Sequence, residues 1–211
     1  AFGVGKFAPY NFTSIRTVLY STKTINDEYA FQGKAILTTF KEDGKNKQNI
    51  GLFADKDSEN FDAVFDVNDI APVFRRTEPG TDIFVLGFVK EDEDTWVEQS
   101  AISVIEYFFY SIYRGKLEVE IRDGEKIVEI TQSNLGEMIA LYDKYCKEHM
   151  ADDTAFKFTA PSYWRLLQDS RHKIIKAPFE YNGKSMGNYE LYLLTGDDIA
   201  EKKVLEMRQA G

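Results

Sequence analysis

The chain carries little that supports disulfide or metal chemistry. It has one cysteine, Cys146, and two histidines in 211 residues. A single thiol excludes an internal disulfide framework and suits a reducing cytosol, so the expected compartment is cytoplasmic. Two His and one Cys leave a Cys/His metal site almost without ligands. Positive charge is also in deficit: 26 Lys and Arg face 35 Asp and Glu, for a net charge of −9 and a pI near 4.9. Proteins built to coat nucleic acid or an anionic membrane carry the opposite balance, so neither partner is indicated. The local exception, Arg171-His172-Lys173 with Lys176, reads as a solvated face. No run approaches the ~18 apolar residues of a membrane span.

Aromatic residues, by contrast, are abundant. Twelve Tyr and sixteen Phe predict a core packed largely through rings. The length allows one large domain or two small ones. "IRTVLYST" (15–22), "YAFQGKAILTTF" (29–40) and "IGLFAD" (50–55) read as strands, with Gly33 marking a bulge. Asp66 or Asn68 is expected to cap a short helical turn that brings Phe74 to the core. "TDIFVLGFV" (81–89) is strongly apolar and predicts a central strand.

The clearest helix spans 95–113, where Val97, Ala101, Val104, Ile105, Phe108 and Ile112 repeat at three-four spacing until Gly115 ends it. A hairpin turning at Asp123-Gly124 follows, with strands at 116–121 and 126–130. Ser133 is expected to cap a helix reaching Glu148 and burying Leu135, Met138, Ile139, Leu141 and Tyr142. A short helix near 161–169 and strands near 173–181 and 188–195 complete the pattern. The expected fold is α+β, a two-layer α/β sandwich with a largely antiparallel or mixed sheet. Its domains are 1–121 and 122–211, with the boundary near Arg122-Asp123-Gly124.

The residues most suggestive of a ligand are Gly3-Val4-Gly5-Lys6. Glycines let backbone N–H groups approach phosphate oxygens, a helix N-terminus adds a positive dipole, and Lys adds a full charge. A plain turn before a helix looks similar. A P-loop requires Ser or Thr after the lysine, and Phe7 fails that requirement. Gly3-x-Gly5-x-x-Ala8 formally meets a dinucleotide fingerprint, but hairpin-like strands follow instead of βαβ units.

Two longer stretches carry more. "FGVGKFAPYNFTSIRTVLYSTK" resembles the segment where the ATP lid joins its helix and next strand in the GHKL (Bergerat-fold) ATPases, in the heat-shock-chaperone branch. "PGTDIFVLGFVKEDEDTWVE" is similar to that branch's Gly-Thr strand and following helix. The resemblance covers residues 1–121, and it extends to uncharacterised prokaryotic GHKL-type proteins, in which "GNYELYLLT" and "KKVLEMRQAG" also fit.

The resemblance implies a partial Bergerat fold followed by a smaller transducer-like α/β domain. It implies ATP with magnesium as ligand, with Gly3, Val4, Gly5 and Lys6 at the phosphates and Thr81 reading the adenine through an ordered water. Lys202, Lys203 and Arg208 lie in the segment where the family carries a γ-phosphate sensor, although ordinary surface charge is the better reading of each. The family's catalytic Glu and magnesium-binding Asn would precede Ala1, so no catalytic residue is expected within this chain and the chain alone is expected to hydrolyse ATP poorly. Expected partners are ATP, a second copy and an unidentified protein client. A non-enzymatic interaction module with a degenerate Bergerat-like fold is the alternative, and an NADP-type Rossmann oxidoreductase is the third reading.

Overall fold

The computed structural model describes residues 7–90, 95–150 and 157–196, and the backbone of 206–207. Its contacts divide the chain into two units, Ala1–Glu91 and Asp92–Gly211. The class is α+β, and every pairing between the described strands is antiparallel.

In the first unit, α1 (Ala8–Asn11) is a single turn with Pro9 at its start, where a missing N–H costs nothing. It leads into β1 (Thr13–Lys23), β2 (Tyr29–Ile36), β3 (Phe40–Glu42), β4 (Lys45–Lys47), β5 (Ile50–Phe53) and β6 (Gly80–Phe88). The main sheet has the order β5-β2-β1-β6. The expected strand 29–40 therefore stops at Ile36, and β3–β4 form a separate small hairpin turning at Asp43-Gly44. Both turn residues have positive φ, the backbone a tight hairpin requires.

Strand β6 lies at the sheet edge and not at its centre. Its apolar residues serve two faces at once: Phe84 and Leu86 join a core of Leu19, Phe31, Val64 and Ile70, while Ile83 and Val85 point to the other side. Segment 64–74 covers the core face. Asp66 accepts a hydrogen bond from the Asn68 N–H and caps a 3-10 turn, as its position suggested. A second 3-10 turn, Pro72–Phe74, stacks Phe74 on Phe31 and sets it edge-on to Phe84 at 4.9 Å. The buried Ser21 hydroxyl donates to the Phe74 carbonyl at 2.6 Å and ties this cover to the sheet.

Gly33 is not a bulge. The β1–β2 register runs through it unbroken, pairing it with Leu19. Glycine is needed for space: a Cβ there would meet Leu19 Cδ2 at 2.5 Å and Phe53 Cβ at 2.9 Å. The irregularity falls between Thr13 and Thr17, where Arg16 and, opposite, Gly87 have positive φ.

The second unit comprises α2 (Trp96–Tyr113), β7 (Val119–Asp123), β8 (Lys126–Ile130), α3 (Leu135–His149), α4 (Ala160–Gln168), β9 (Lys173–Tyr181), β10 (Lys184–Leu193) and β11 (Glu206–Met207). Gly115 ends α2 in the left-handed conformation, with Gly115 N–H bonded to the Ile112 carbonyl and Lys116 N–H to that of Ser111. That cap delays the next strand to Val119. Trp96 Nε1 donates to Asp123 at 2.8 Å and Lys126 pairs with Glu98, so the β7–β8 hairpin is built onto α2. This is why the units part at Glu91–Asp92 and not near 122–124.

The core of this unit takes Val97, Ala101, Ile102, Ile105, Phe109 and Ile112 from α2. Phe109 takes the place expected of Phe108, which is exposed, and Val104 is only half-buried. From α3 come Leu135, Ile139 and Tyr142, whereas Leu141 is exposed. The α3 cap is Asn134, one residue after the expected Ser133. Its side chain accepts from Thr131 N–H at 2.8 Å and donates to the Glu129 carbonyl at 2.9 Å. Helices α3 and α4 approach closely because Gly136 has no side chain. A Cβ there would lie 2.7 Å from the Trp164 ring.

Candidate functional site

Alternation along β1 puts Val18, Tyr20 and Thr22 on the face opposite the first core. The register sets Val85, Ile83 and Thr81 of β6 beside them, with Lys34, Gln32 and Ala30 of β2 on the other flank. Helix α1 lies against this face. Phe7, Tyr10, Tyr20, Gln32, Gly33, Lys34 and Leu52 enclose a cavity of about 140 Å³ between them. That volume holds one small ring and is well short of a nucleotide pocket. Tyr10 is buried, and its hydroxyl is pushed up to about 12, first by burial and then by the neighbouring Tyr20.

Two residues further along β1, about 7 Å away by strand geometry, Thr22 Oγ1 and Thr81 Oγ1 hydrogen-bond at 3.0 Å and are exposed. Each hydroxyl keeps acceptor capacity, and the pair together keeps one proton to donate. The turn that sets Thr81 is held firmly. Arg76 pairs with Asp82, packs over Gly80 and donates to the Glu78 carbonyl at 3.0 Å, while Lys23 donates to the Thr77 carbonyl at 2.7 Å. Gly80, at φ +144, lets the guanidinium close over it. Asp82 therefore serves the turn.

Gly3, Val4, Gly5, Lys6, Lys202, Lys203 and Arg208 lie outside the described residues. Of the expected site residues, only Thr81 has a described position. Among the described residues no group of three or more His, Cys, Asp or Glu is placed to hold a metal ion, and no helix is long and apolar enough to cross a membrane.

Sequence reading did not single out a second polar centre, in the other unit. Glu190 of β10 accepts from the Tyr192 hydroxyl at 2.9 Å and the Tyr110 hydroxyl at 3.0 Å, and pairs with Lys176 of β9 at 2.6 Å. Arg114 donates to Tyr110 at 2.9 Å. The available signals were Tyr110 and Arg114 at helical spacing and Glu190 and Tyr192 at strand spacing, but only the packing of α2 on β10 joins the two pairs, and the β9–β10 register adds Lys176. The basic stretch that looked like a solvated face is partly neutralised by this network, since Lys176 pairs with Glu190 and Arg171 with Asp169.

Lys176 above all, then the two tyrosine hydroxyls, hold the Glu190 carboxyl down at about 2. Arg171 does the same for Asp169. Both pKa values lie lower folded than unfolded, so the stabilisation is complete above about pH 4.5 and fades as pH falls toward 2. The urea midpoint of the second unit is therefore expected to drop between about pH 5 and pH 2.5. Glu190→Gln should flatten part of that drop, leaving the share of Asp169, and an unchanged profile would remove Glu190 from the acid response.

No protein-family model, curated protein or solved structure matches the chain.

Proposed function

We propose that the protein is the lid-proximal part of a cytosolic GHKL-type ATP-binding protein that works as a conformational switch and acts on a protein client. The observation that carries this reading is the shared sheet face of α1 and Thr81. Helix α1 directly follows the glycine segment, and Thr81 comes some seventy-five residues after that segment, yet both flank the same surface. A nucleotide lying across that face could meet both. The Thr22–Thr81 hydroxyl pair suits an adenine edge or its bridging water, since it can donate and accept. Gly3, Val4, Gly5 and Lys6 would meet the phosphates through backbone N–H groups and one ammonium. The described residues supply no magnesium ligand set, so the ion would be held by the phosphates and by groups outside them.

The test is magnesium-dependent ATP binding by calorimetry, on the polypeptide that the complete reading frame encodes. Thr81→Val keeps the β-branched shape and removes the hydroxyl, and is expected to weaken binding roughly three- to tenfold. Binding unaffected by Thr81→Val would remove Thr81 from the site. A frame upstream of Ala1 without an E-x-x-x-N helix and a D-x-G-x-G loop would falsify the family reading.

A complete absence of nucleotide binding would favour the non-enzymatic interaction module. That second reading draws on the exposed apolar residues Ile83, Phe88 and Val89. The parallel sheet that a dinucleotide fold requires is not formed by the described strands, which speaks against the NADP-type oxidoreductase.

A further inference from the structure

We propose that the outer edge of β6 pairs antiparallel with β6 of a second copy, joining two four-stranded sheets into one of eight strands. This stands independently of nucleotide binding.

An open strand edge offers unpaired N–H and C=O groups to any extended chain, and proteins guard such edges with short strands, lysines, prolines or bulges. The other edge strands described are guarded. β5 has four residues. β9 carries Lys173, Lys176, Glu180 and Pro178. β3 and β4 are three residues each and carry lysines, and β7 and β8 carry charges along their length. β6 has none of these devices within Gly80–Leu86, where its register on β1 is continuous. No described strand pairs with its outer side. Its sequence GTDIFVLGF includes one charge, Asp82, already paired with Arg76 of the same chain.

The strand also fits itself. A two-fold axis perpendicular to the sheet at Ile83 uses the whole continuous stretch, and it keeps each face on its own side. Asp82 then lies opposite Phe84 of the second copy, so the two carboxylates never face each other. On the other face Ile83 meets its own copy and Thr81 meets Val85. These are β-branched pairs, which favour antiparallel sheets. Ile83 is 53% exposed in one copy, and this pairing covers it. A registry centred further toward Phe88 would run the ladder into Gly87, whose positive φ breaks it.

The experiment is sedimentation velocity over a concentration series on the whole chain, with Ile83→Lys and Ile83→Glu beside it. Circular dichroism checks that both variants keep the fold. The unmodified chain is expected to form dimers. Each variant places like charges opposite each other on the axis, and should weaken dimerisation roughly tenfold or more. Mixing the two variants in equal amounts should restore dimers, now as Lys–Glu heterodimers. Concentration-dependent protection of amides 80–86 in hydrogen exchange reads the same contact without any substitution. A monomer at the highest soluble concentration, or a dimer that survives both substitutions, overturns the proposal.

Discussion

Ile105→Ala is expected to lower the unfolding free energy of the second unit by about 2–5 kcal/mol, the range for truncating a fully buried isoleucine. Ile105 is 0% exposed and sits mid-way along α2, in the cluster that gathers β7, β8, α3 and α4. Truncation removes transfer free energy and leaves a cavity that two helices and a hairpin cannot easily fill. The measurement is chemical unfolding followed by a signal from Trp96 and Trp164, both packed against that cluster. Phe108→Ala is the informative contrast. Helical spacing makes it equally apolar and equally periodic, yet it is 52% exposed. Its loss is expected to cost less than about 1 kcal/mol. Equal effects at the two positions would contradict the burial of Ile105 and the exposure of Phe108.

Glu106→Ala is expected to cost about 2–4 kcal/mol. The Glu106 carboxylate crosses from α2 to the start of α4. There it accepts from Thr159 N–H at 2.7 Å, from Ala160 N–H at 2.9 Å and from the Thr159 hydroxyl. The first N–H groups of a helix have no partner inside the helix, and Thr159 makes no side-chain cap of its own. The carboxylate supplies the cap from another helix, with charge-assisted bonds and a favourable dipole. Alanine leaves those donors half-buried and unpaired. Glu106→Gln keeps one good acceptor and should recover part of the loss. An alanine variant as stable as the parent would mean that water replaces the carboxylate without cost.

Glu106 also marks the limit of what the chain shows when read linearly. The apolar three-four repeat read along α2 does not include Glu106. Nor could that repeat show that Glu106 faces the start of α4, fifty-three residues later. Thr81 behaves similarly. Its strand was legible in the apolar run 81–89. Its hydroxyl partner Thr22 came from the β1–β6 register, which no local pattern encodes. Gly33 shows the opposite error: a glycine in a strand suggested a bulge, and close packing from Leu19 and Phe53 was the cause.

The sequence by itself determined the class, most of the elements and the position of the turns. These depend on local terms: side-chain period, capping groups, and glycine or proline at strained backbone positions. It also determined which chemistry the chain is short of, through one thiol, two imidazoles and an excess of acid. The tertiary structure alone decided that β6 is an edge, that the units part at Glu91–Asp92, and that Glu190 gathers Tyr110, Tyr192 and Lys176. The reason is physical. Strand neighbours and helix contacts are chosen by burial and hydrogen bonding between residues far apart in the chain, and periodicity reports only which side of an element is apolar, not what lies against it.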